Sequence, residues 1–515
     1  MPVAGKAAEP LSWPLAVGQG LYRKGCQVSS LGLWTVHGDG KHIPPTEVVA
    51  PDERLAWPQT IGLGFQHVLA MFGATFIVPV LIGFPPNTTI FFSGIGTLIF
   101  LLVTIGRGQR LGLPSYLGSS FAFISPVLVA EQHGGIPSAL AGILVAGAVF
   151  FVIGLIVNKW GSAFIEWLMP PVVTGAVVAL IGLNLASSAF TNFNKQPWTG
   201  FATLCGVILV TVVFRGFIGR LSILVGVAFG YLIGWGQGQI SFTAVKSAAW
   251  VGLPHFNTPH FSMRPIFLIV PVVIVLIAEN TGHIKAVASM TGRNLDRSLG
   301  RGYMADGLAT MLAGIGGGSG TTTYAENIGV MAATKVYSTS AYYVAAVVAI
   351  AFGCVPKFGA LISTLPAGVL GGAGTILYGL IAVLGGRIWV ENRVNFNNPV
   401  NLIPCAIGLI AGAGNYTLTF DHGNVSFNGI AMGAFGVIIA YQLMRWLSTY
   451  GVFHDTQPPA YAVWVTDQPT EGASAQPPDL YTSLTTTTMP DPNQPTGGAS
   501  AQPTDPPPAA PPFGS

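Results

Sequence analysis

The stretch "TTTYAENIGVMAATKVYS", residues Thr321 to Ser338, places a carboxylate, Glu326, and an amide, Asn327, among long apolar runs. It follows directly on the glycine-rich run "GIGGGSG". A charged side chain at the centre of a bilayer costs about 3 kcal/mol even on insertion scales, so an ionisable residue in such a place is a candidate for function. The arrangement of the apolar runs around this stretch decides the fold.

The composition is that of a membrane protein. Of the 515 residues, 51% are hydrophobic and only 8% are charged, whereas a soluble domain carries about a quarter charged residues. The apolar residues fall in blocks long enough to cross a bilayer. These features predict an all-α polytopic membrane protein, with the lipid bilayer as its surroundings. The net charge of +3 is small and scattered, so no nucleic acid partner is predicted.

About fourteen apolar segments are predicted by spanning length. They begin near the following residues: Thr60, Thr89, Pro114, Pro137, Pro171, Phe201, Leu221, Pro265, Tyr303, Thr323, Ala341, Pro366, Pro399 and Gly429. An even number of segments places both termini on the same side of the membrane.

Basic residues in the short loops indicate the orientation, because cytoplasmic loops collect Lys and Arg. Loops after even-numbered segments hold twelve of them: Arg107, Arg110, Lys159, Arg215, Arg220, Lys285, Arg293, Arg297, Arg301, Lys335, Arg387 and Arg393. Loops after odd-numbered segments hold four: Lys195, Lys246, Arg264 and Lys357. Both termini are therefore predicted to be cytoplasmic.

Segments three and ten differ from the rest, because both are short, polar and interrupted, and each is predicted to be a broken half-helix with a short extended stretch. Segment three is "PSYLGSSFAFISPVLVA", with Pro114, Gly118 and Pro126, and segment ten is the opening stretch. They lie seven segments apart, as expected for two repeats of seven, and an odd number of spans per repeat makes the repeats inverted. Paired broken segments of this kind indicate the substrate site of a transporter, with half-helix N-termini directed at the ligand.

A second polar intrusion, "IAENTGH", holds Glu279 and His283. Their i, i+4 spacing places both side chains on one face of a helix. A carboxylate beside an imidazole can hold or pass a proton. Pairing with a neighbouring helix for structure alone is the alternative for Glu279.

The glycine run lacks the GK[ST] ending of a P-loop, so nucleotide hydrolysis is not predicted, and the protein is not expected to be an enzyme. The four cysteines lie far apart, so no metal site is predicted either. They are Cys26, Cys205, Cys354 and Cys405.

The two ends of the chain differ from its middle. Residues 1–53 are mixed and Gly-rich, and they are predicted to form a loose cytoplasmic arm. Residues 451–515 are rich in Pro, Thr, Ser and Gly, and a segment of this composition cannot bury enough apolar surface to fold. A disordered cytoplasmic tail is predicted there, with a Pro-rich docking motif as the alternative. The transporter domain is placed at residues 54–450.

Four motifs resemble the nucleobase–ascorbate transporter family, and within it the uracil permease branch. "QHVLAMFGATFIVPVL" begins at Gln66, and "PSYLGSSFAFISP" begins at Pro114. "AENTGHIKAVASMTGRNLD" begins at Ala278, and "TTYAENIGVMAATKVYS" begins at Thr322. They occur in the family's order, and the resemblance covers roughly residues 48–446.

The resemblance implies fourteen spans in two inverted repeats, with a core domain beside a gate domain. The core would comprise about 59–160 and 265–356, and the gate about 165–260 and 363–448. It further implies a homodimer in the bacterial plasma membrane that imports a nucleobase by an elevator-like movement of the core. The proton would be the coupling ion, with no other cofactor.

The same resemblance implies the site residues. Glu279 would bind the base, His283 would be its proton partner, and Glu326 would be the carboxylate of the tenth segment. Backbone N–H groups near Phe121 and Ala325 would meet the carbonyl oxygens of the base. The remaining residues implied in the site are Ala74 as a pocket wall and Asn327, Gly329, Thr334, Gln66 and His67 as supporting residues.

Two features of the site are left open. Ala325 stands where uracil permeases can have glycine, which leaves the exact base undecided. Phe121 and Phe123 have the ring faces needed to stack on a base, but aromatic residues at this spacing are equally often plain packing.

A pyrimidine fits the residues directly, because carboxylates accept from its N–H groups while half-helix N–H groups serve its oxygens. The alternatives are the same fold carrying a purine such as xanthine or urate, or a small anion. A passive channel and a membrane scaffold acting through its Pro-rich tail are further alternatives.

Overall fold

The computed structural model describes most of the chain between residues 33 and 450. The described ranges are 33–44, 47–106, 111–214, 217–292, 295, 298–420, 425–427 and 429–450. The predicted tail, residues 451–515, and the first 32 residues of the predicted arm lie outside them.

The first half of the described chain, as far as residue 247, begins with two short strands and continues with helices and one further strand. The strands are β1 (Thr35–Val36), β2 (Glu53–Arg54) and β3 (Leu117–Ser119). A 3₁₀ turn, Phe121–Phe123, precedes the third helix. The helices are α1 (Trp57–Leu81), α2 (Pro86–Val103), α3 (Ile124–Glu131), α4 (Gly135–Trp160), α5 (Ala163–Leu168), α6 (Pro171–Lys195), α7 (Pro197–Val213), α8 (Phe217–Arg220), α9 (Ser222–Gly236) and α10 (Thr243–Ser247).

The second half has the same alternation of long helices with one broken segment. The strands are β4 (Thr321–Thr323), β5 (Leu418–Phe420) and β6 (Val425–Phe427). The helices are α11 (Met263–Ile269), α12 (Val272–Thr291), α13 (Leu299–Gly316), α14 (Ala325–Thr334), α15 (Thr339–Gly353), α16 (Pro356–Ile362), α17 (Ala367–Glu391), α18 (Pro399–Ala413) and α19 (Gly429–Thr449).

An α-helical element lies at each of the fourteen predicted segments, although the segments are not alike. Within the described ranges, seven helices are long and apolar enough to cross a membrane, with α11 and α12 taken together, and the pair α15 and α16, bent by 86°, forms an eighth candidate. Four further apolar helices have only 10–17 residues. The segments outside these sets include α13, which has 18 residues but carries Asp306, and the ten-residue α14. Polar residues lower the hydropathy of the first, and a chain break shortens the second.

The two broken segments pair with each other at the centre of the fold. Strands β3 and β4 are antiparallel, with Leu117 opposite Thr323 and Ser119 opposite Thr321, and both are fully buried. Their free backbone groups therefore bond to each other, as unwound backbone at membrane depth must. The short extended stretches predicted in segments three and ten are confirmed.

The helices pack in two groups. The first helix group comprises α1 to α4 and α11 to α15, held mainly by α4 against α13 and by α2 and α1 against α15. The second helix group comprises α6, α7, α9 and α17 to α19, held mainly by α6 against α17, α18 against α19 and α7 against α9. The groups meet where α12 contacts α6 and α19 and where α1 contacts α9 and α17.

The described part of the N-terminal arm is not loose, contrary to the prediction. Residues 33–44 and 47–56, which we call the N-terminal strap, form a parallel strand pair, β1 with β2. The strap then pairs with the connection between α14 and α15, where Val49 bridges Val336. The sequence did not reveal this order because the strap takes its partners from a segment nearly three hundred residues away.

Candidate functional site

The start points of the two half-helices meet at the paired strands. The 3₁₀ turn begins at Phe121, one residue beyond the end of β3 at Ser119, and α14 begins at Ala325, one residue beyond the end of β4 at Thr323. The pairing extends beyond the strands, because the N–H of Ser120 donates to the carbonyl of Gly320 at 2.9 Å. Backbone N–H groups at a helix start have no partner within the helix, so both starts offer donors to an anionic or carbonyl oxygen.

Glu279 lies on α12 beside this crossing. Its Oε2 accepts from the hydroxyl of Ser120 at 3.4 Å, and it also bonds to the side chain of Thr322. The carboxylates of Asp306 and Glu326 are near enough to act on it electrostatically. Glu279 is only partly buried, so a carboxylate remains available beside the two half-helix starts.

The imidazole of His283 is bound to the crossing rather than to Glu279. Its Nδ1 lies 2.9 Å from the hydroxyl of Thr323, which in turn donates to Oδ1 of Asn280 at 3.1 Å. The i, i+4 spacing does place Glu279 and His283 on one helix.

Glu326 stands in the first turn of α14 and lines a cavity of about 290 Å³. Gly329, one turn further along α14, lines the same cavity and is exposed. The other residues of the wall come from α1, from α9 with its N-cap Leu221, and from α14: Leu69, Ala70, Gly73, Leu221, Ile223, Leu224 and Val330. The cavity therefore separates α14 of the first helix group from α9 of the second. Ala74 is buried next to the wall residue Gly73.

The two phenylalanines predicted as stacking candidates differ in their contacts. Phe121 packs edge to face against Tyr378 of α17, with ring centroids 5.7 Å apart. Phe123 is fully buried and fills the space beside Gly320, where a Cβ would lie 2.4 Å from its ring. Phe123 is thus a packing residue, whereas Phe121 lies where the two helix groups meet.

The predicted supporting residues tie α14 to its neighbours. The Nδ2 of Asn327 donates to the carbonyl of His67 at 3.0 Å, and the ring of His67 packs 4.3 Å from that of Tyr342. Gln66 is also buried in α1. Thr334, at the end of α14, donates its hydroxyl to the carbonyl of Val330 at 2.9 Å.

The sequence reasoning missed the carboxylate of Asp306. This residue is fully buried in α13 and accepts at Oδ2 from Asn280 at 2.8 Å and at Oδ1 from the hydroxyl of Thr321 at 2.6 Å. It therefore links α12 to β4 behind the crossing. The signal was present, because an acid within the apolar run "YMADGLATML" is as unusual as Glu279.

Tyr324 is a second missed residue. Its hydroxyl accepts from Thr75 at 3.0 Å and donates to the carbonyl of Ser119 at 2.9 Å, so it joins α1 to β3. An aromatic residue in an apolar run carries no signal in sequence that would have singled it out.

The described residues contain no group of three His, Cys, Asp or Glu side chains placed to hold a metal ion. The described cysteines, Cys205, Cys354 and Cys405, are free thiols. Cys26 lies outside the described ranges.

Comparisons with known proteins agree with this architecture. A family model described as the permease family matches residues 58–420. The chain is 51% identical over 414 residues to RutG of Escherichia coli (strain K12), named as a pyrimidine permease, covering 77% of this chain and 92% of RutG. It is 38% identical over 425 residues to the uracil permease of the same organism, covering 79% and 97%.

Two solved structures share the fold at low identity. The transmembrane domain of the cyanobacterial bicarbonate transporter BicA matches with a TM-score of 0.51 at 14% identity, covering 75% of this chain and 97% of that one. Murine Slc26a9, an anion transporter in the inward-facing state, matches with a TM-score of 0.56 at 11% identity, covering 88% and 77%. The predicted fold class is confirmed.

The family model covers most of the chain, and the named relatives are permeases matched over nearly their full length. The resemblance carried by the four motifs is therefore confirmed, and the chain is a multi-pass membrane transporter that belongs to the permease family.

Proposed function

We propose that this protein is a proton-coupled symporter that imports uracil or a related pyrimidine base. The observation that carries the proposal is the placement of Glu279 and Glu326 beside two half-helix starts that face one crossing. The relatives named as uracil and pyrimidine permeases support the same substrate class.

The site chemistry matches a pyrimidine ring. Uracil presents N–H donors and carbonyl acceptors in one plane. A carboxylate such as Glu279 accepts from the N–H groups, and the N–H groups at Phe121 and Ala325 donate to the carbonyls. Phe121 offers a ring at the same place. A fully anionic substrate would face the two glutamates, which disfavours an anion despite the anion carriers among the structural neighbours.

Proton coupling is proposed for Glu279, His283 and Glu326 as a group. A permanently ionised carboxylate in the membrane interior is expensive, so we infer that Glu326 alternates between protonated and ionised forms. Glu279 and Glu326 interact electrostatically, and the titration of interacting groups belongs to the set rather than to one residue. The cavity beside Glu326 offers a path for the proton.

An elevator-like movement is proposed for the two helix groups. The first helix group would be the moving core that carries the site, and the second helix group would be the gate. The cavity between α14 and α9 lies along their boundary, where a sliding contact would open and close.

The decisive experiment is uracil uptake into vesicles with an imposed pH gradient, beside equilibrium binding on the same protein. The Glu326→Gln variant should bind uracil but lose gradient-driven accumulation, because an amide cannot release a proton. Glu391→Gln, an acid-to-amide change at an exposed residue of α17, is the matched control. Accumulation by Glu326→Gln at the wild-type level would refute the coupling role. Competition by other bases, xanthine and urate included, would identify the substrate.

The orientation and assembly are proposed with it. Both termini would face the cytoplasm of a bacterial plasma membrane, and two copies would form a homodimer. In a background without the native cysteines, Ser247→Cys should react with an impermeant reagent in intact cells and Asn392→Cys should not. The reverse pattern would invert the topology, and a monomer by cross-linking in membranes would exclude the dimer.

A further inference from the structure

The connection between α14 and α15 is held by the N-terminal strap through backbone bonds. The N–H of Val49 donates to the carbonyl of Lys335 at 2.9 Å, and the N–H of Tyr337 donates to the carbonyl of Val49 at 2.8 Å. The N–H of Thr339 then donates to the carbonyl of Pro51 at 3.1 Å. Three consecutive bonds of this kind make the connection the continuation of a small sheet rather than a free loop.

Side chains reinforce the same contact. The indole N–H of Trp34 donates to Oγ1 of Thr339 at 2.8 Å, and that hydroxyl donates to the carbonyl of Pro51 at 2.9 Å. The hydroxyl of Ser338 bonds to the carbonyl of Glu53. Thr339 is fully buried, so each of these bonds replaces one that water would otherwise supply.

An apolar cluster seals the contact. Val49, Leu55 and Val336 pack together, at 0%, 6% and 3% exposure. The ring of Trp34 lies edge to face against that of Tyr343 on α15, with centroids 5.6 Å apart. A segment docked for charge alone would not bury apolar side chains in this way.

The strap reaches the candidate site through α14. This helix has only ten residues, and it carries Glu326 in its first turn. Its end is sharply defined, because Lys335 adopts a left-handed conformation with φ of 58° and the next residue is already paired with the strap. A helix of this length spans about 15 Å, so a displacement of its end is transmitted to Glu326.

We propose that the N-terminal strap is a positioning element of the substrate site, which orients Glu326 by holding the C-terminal end of α14. Trp34, Val49 and Thr339 are then positioning residues, and they touch neither the base nor the proton path. The inference rests on the proposed function only where it refers to substrate affinity.

The test compares two substitutions at one buried hydroxyl. Thr339→Val removes the acceptor for Trp34 and the donor to Pro51 at nearly constant volume, whereas Thr339→Ser keeps both. In the full-length protein, two quantities are measured: hydrogen exchange at the amides of Val49, Tyr337 and Ile328, and the Kd for uracil. The N–H of Ile328 donates to the carbonyl of Tyr324 in the first turn of α14, beside Glu326.

Thr339→Val should speed exchange at all three amides and raise the Kd about three- to tenfold, as expected for one or two lost buried hydrogen bonds. Thr339→Ser should restore both quantities. Leu33→Ala, at a residue that is 53% exposed, is the control and should change neither. Trp34→Phe, which removes the indole N–H and keeps a ring, replaces Thr339→Val if that variant does not fold.

Faster exchange at Val49 and Tyr337 with a Kd within twofold of the wild type would overturn the proposal and leave the strap a purely structural element. If neither Thr339→Val nor Trp34→Phe speeds exchange at Val49 and Tyr337, Val49→Asp is used to force the strap away from the connection. Hydrogen exchange and the Kd for uracil are then measured on that variant and decide in the same way. A wild-type protein that binds no uracil would instead refute the proposed substrate. Exchange at Ile328 then still tests the strap, and an unchanged rate there in an opened variant would overturn the proposal.

Discussion

The two helix groups differ in the polarity of their interiors. The first helix group buries Asp306, Asn280, Asn327 and His67, together with a series of threonines around the paired strands. Both groups bring backbones together at glycines: a Cβ on Gly385 of α17 would lie 2.4 Å from the facing carbonyl of α6, and one on Gly307 of α13 would lie 2.5 Å from the backbone nitrogen of Phe151 on α4. The first group adds a network of buried hydrogen-bonding groups to this close packing.

This difference separates the helix group that carries the candidate site from the helix group that packs against it. Polar groups inside a membrane protein must be satisfied by partners, so each polar residue of the first group fixes the place of another. Small residues let helices approach closely without polar contacts. The paired strands of the first group should therefore be sensitive to a change of polarity at constant volume, and the α6–α17 contact of the second group to a change of volume at constant polarity.

The largest effect is expected for Asp306→Asn. The new amide would place an NH₂ group against Asn280 or Thr321, both of which donate to the carboxylate. One hydrogen bond would be lost and the other would no longer be made to a charged group, which together costs about 3 kcal/mol. Thermal unfolding in detergent should show a midpoint lowered by several degrees, together with loss of uracil binding. A midpoint equal to that of the control Glu391→Gln would show that the buried network is not needed for the fold.

Glu279→Gln should come next and should affect binding rather than folding. An amide would turn a pure acceptor into a partial donor facing the N–H groups of the base. A hydrogen bond to a charged group contributes about 1.5–3 kcal/mol, which corresponds to at least about a tenfold rise in Kd. Equilibrium binding of uracil to the purified variant measures it. Unchanged affinity would remove Glu279 from direct contact with the base.

Gly385→Ala tests the second group by volume alone. Its methyl group would meet the carbonyl of Gly175 at 2.4 Å and the N–H nitrogen of Ala179 at 2.6 Å. Overpacking of this kind costs about 1–3 kcal/mol, so the thermal midpoint should fall while the uracil Kd stays within twofold.

The adjacent Gly386→Ala is the matched control for that variant. A Cβ there meets nothing within 4 Å, and alanine is the better helix former. Its midpoint should therefore stay the same or rise slightly. Equal midpoints for the two alanine variants would contradict close backbone packing between α6 and α17.

The smallest effect is expected at an ion pair that joins the groups. Lys285 of α12 lies 3.2 Å from Glu166 of α5, both about half exposed, at 48% and 45%. Helix α5 is held from the second group, because Nε2 of Gln442 on α19 donates to the carbonyl of Trp167 at 2.8 Å. Exposed pairs contribute about 0.2–1 kcal/mol.

Lys285→Glu and Glu166→Lys should each change the initial uptake rate by up to about fivefold, and the double reversal should restore it. Reversal of the pair Arg387 and Glu391, which lies within α17, should leave the rate unchanged. A double reversal that behaves as the sum of the two single changes would show that the pair does not couple the groups.

Much of the site could be predicted from the sequence, because its signals are local. Glu279 and Glu326 stand out because a carboxylate within an apolar run carries a large free-energy cost in the membrane. The broken segments stand out because they contain proline and glycine. Asp306 obeys the same rule and was overlooked, while Tyr324 carries no such signal. His283 was assigned to Glu279 by helical spacing, yet its imidazole bonds to Thr323. Helical spacing identifies residues that share a face, and it says nothing of a partner on another segment.

The sequence by itself determined the membrane class, the fourteen segments, the breaks in segments three and ten and the intramembrane carboxylates. The lipid bilayer constrains the composition of each stretch of a few tens of residues. These features can therefore be recognised in the sequence without knowledge of the fold. Only the tertiary structure decided which groups meet. Ser120 and Glu279 are separated by 159 residues, and Trp34 and Thr339 by 305. Such contacts depend on how whole helices pack, because a hydrogen bond is set by distance in space and leaves no pattern along the chain.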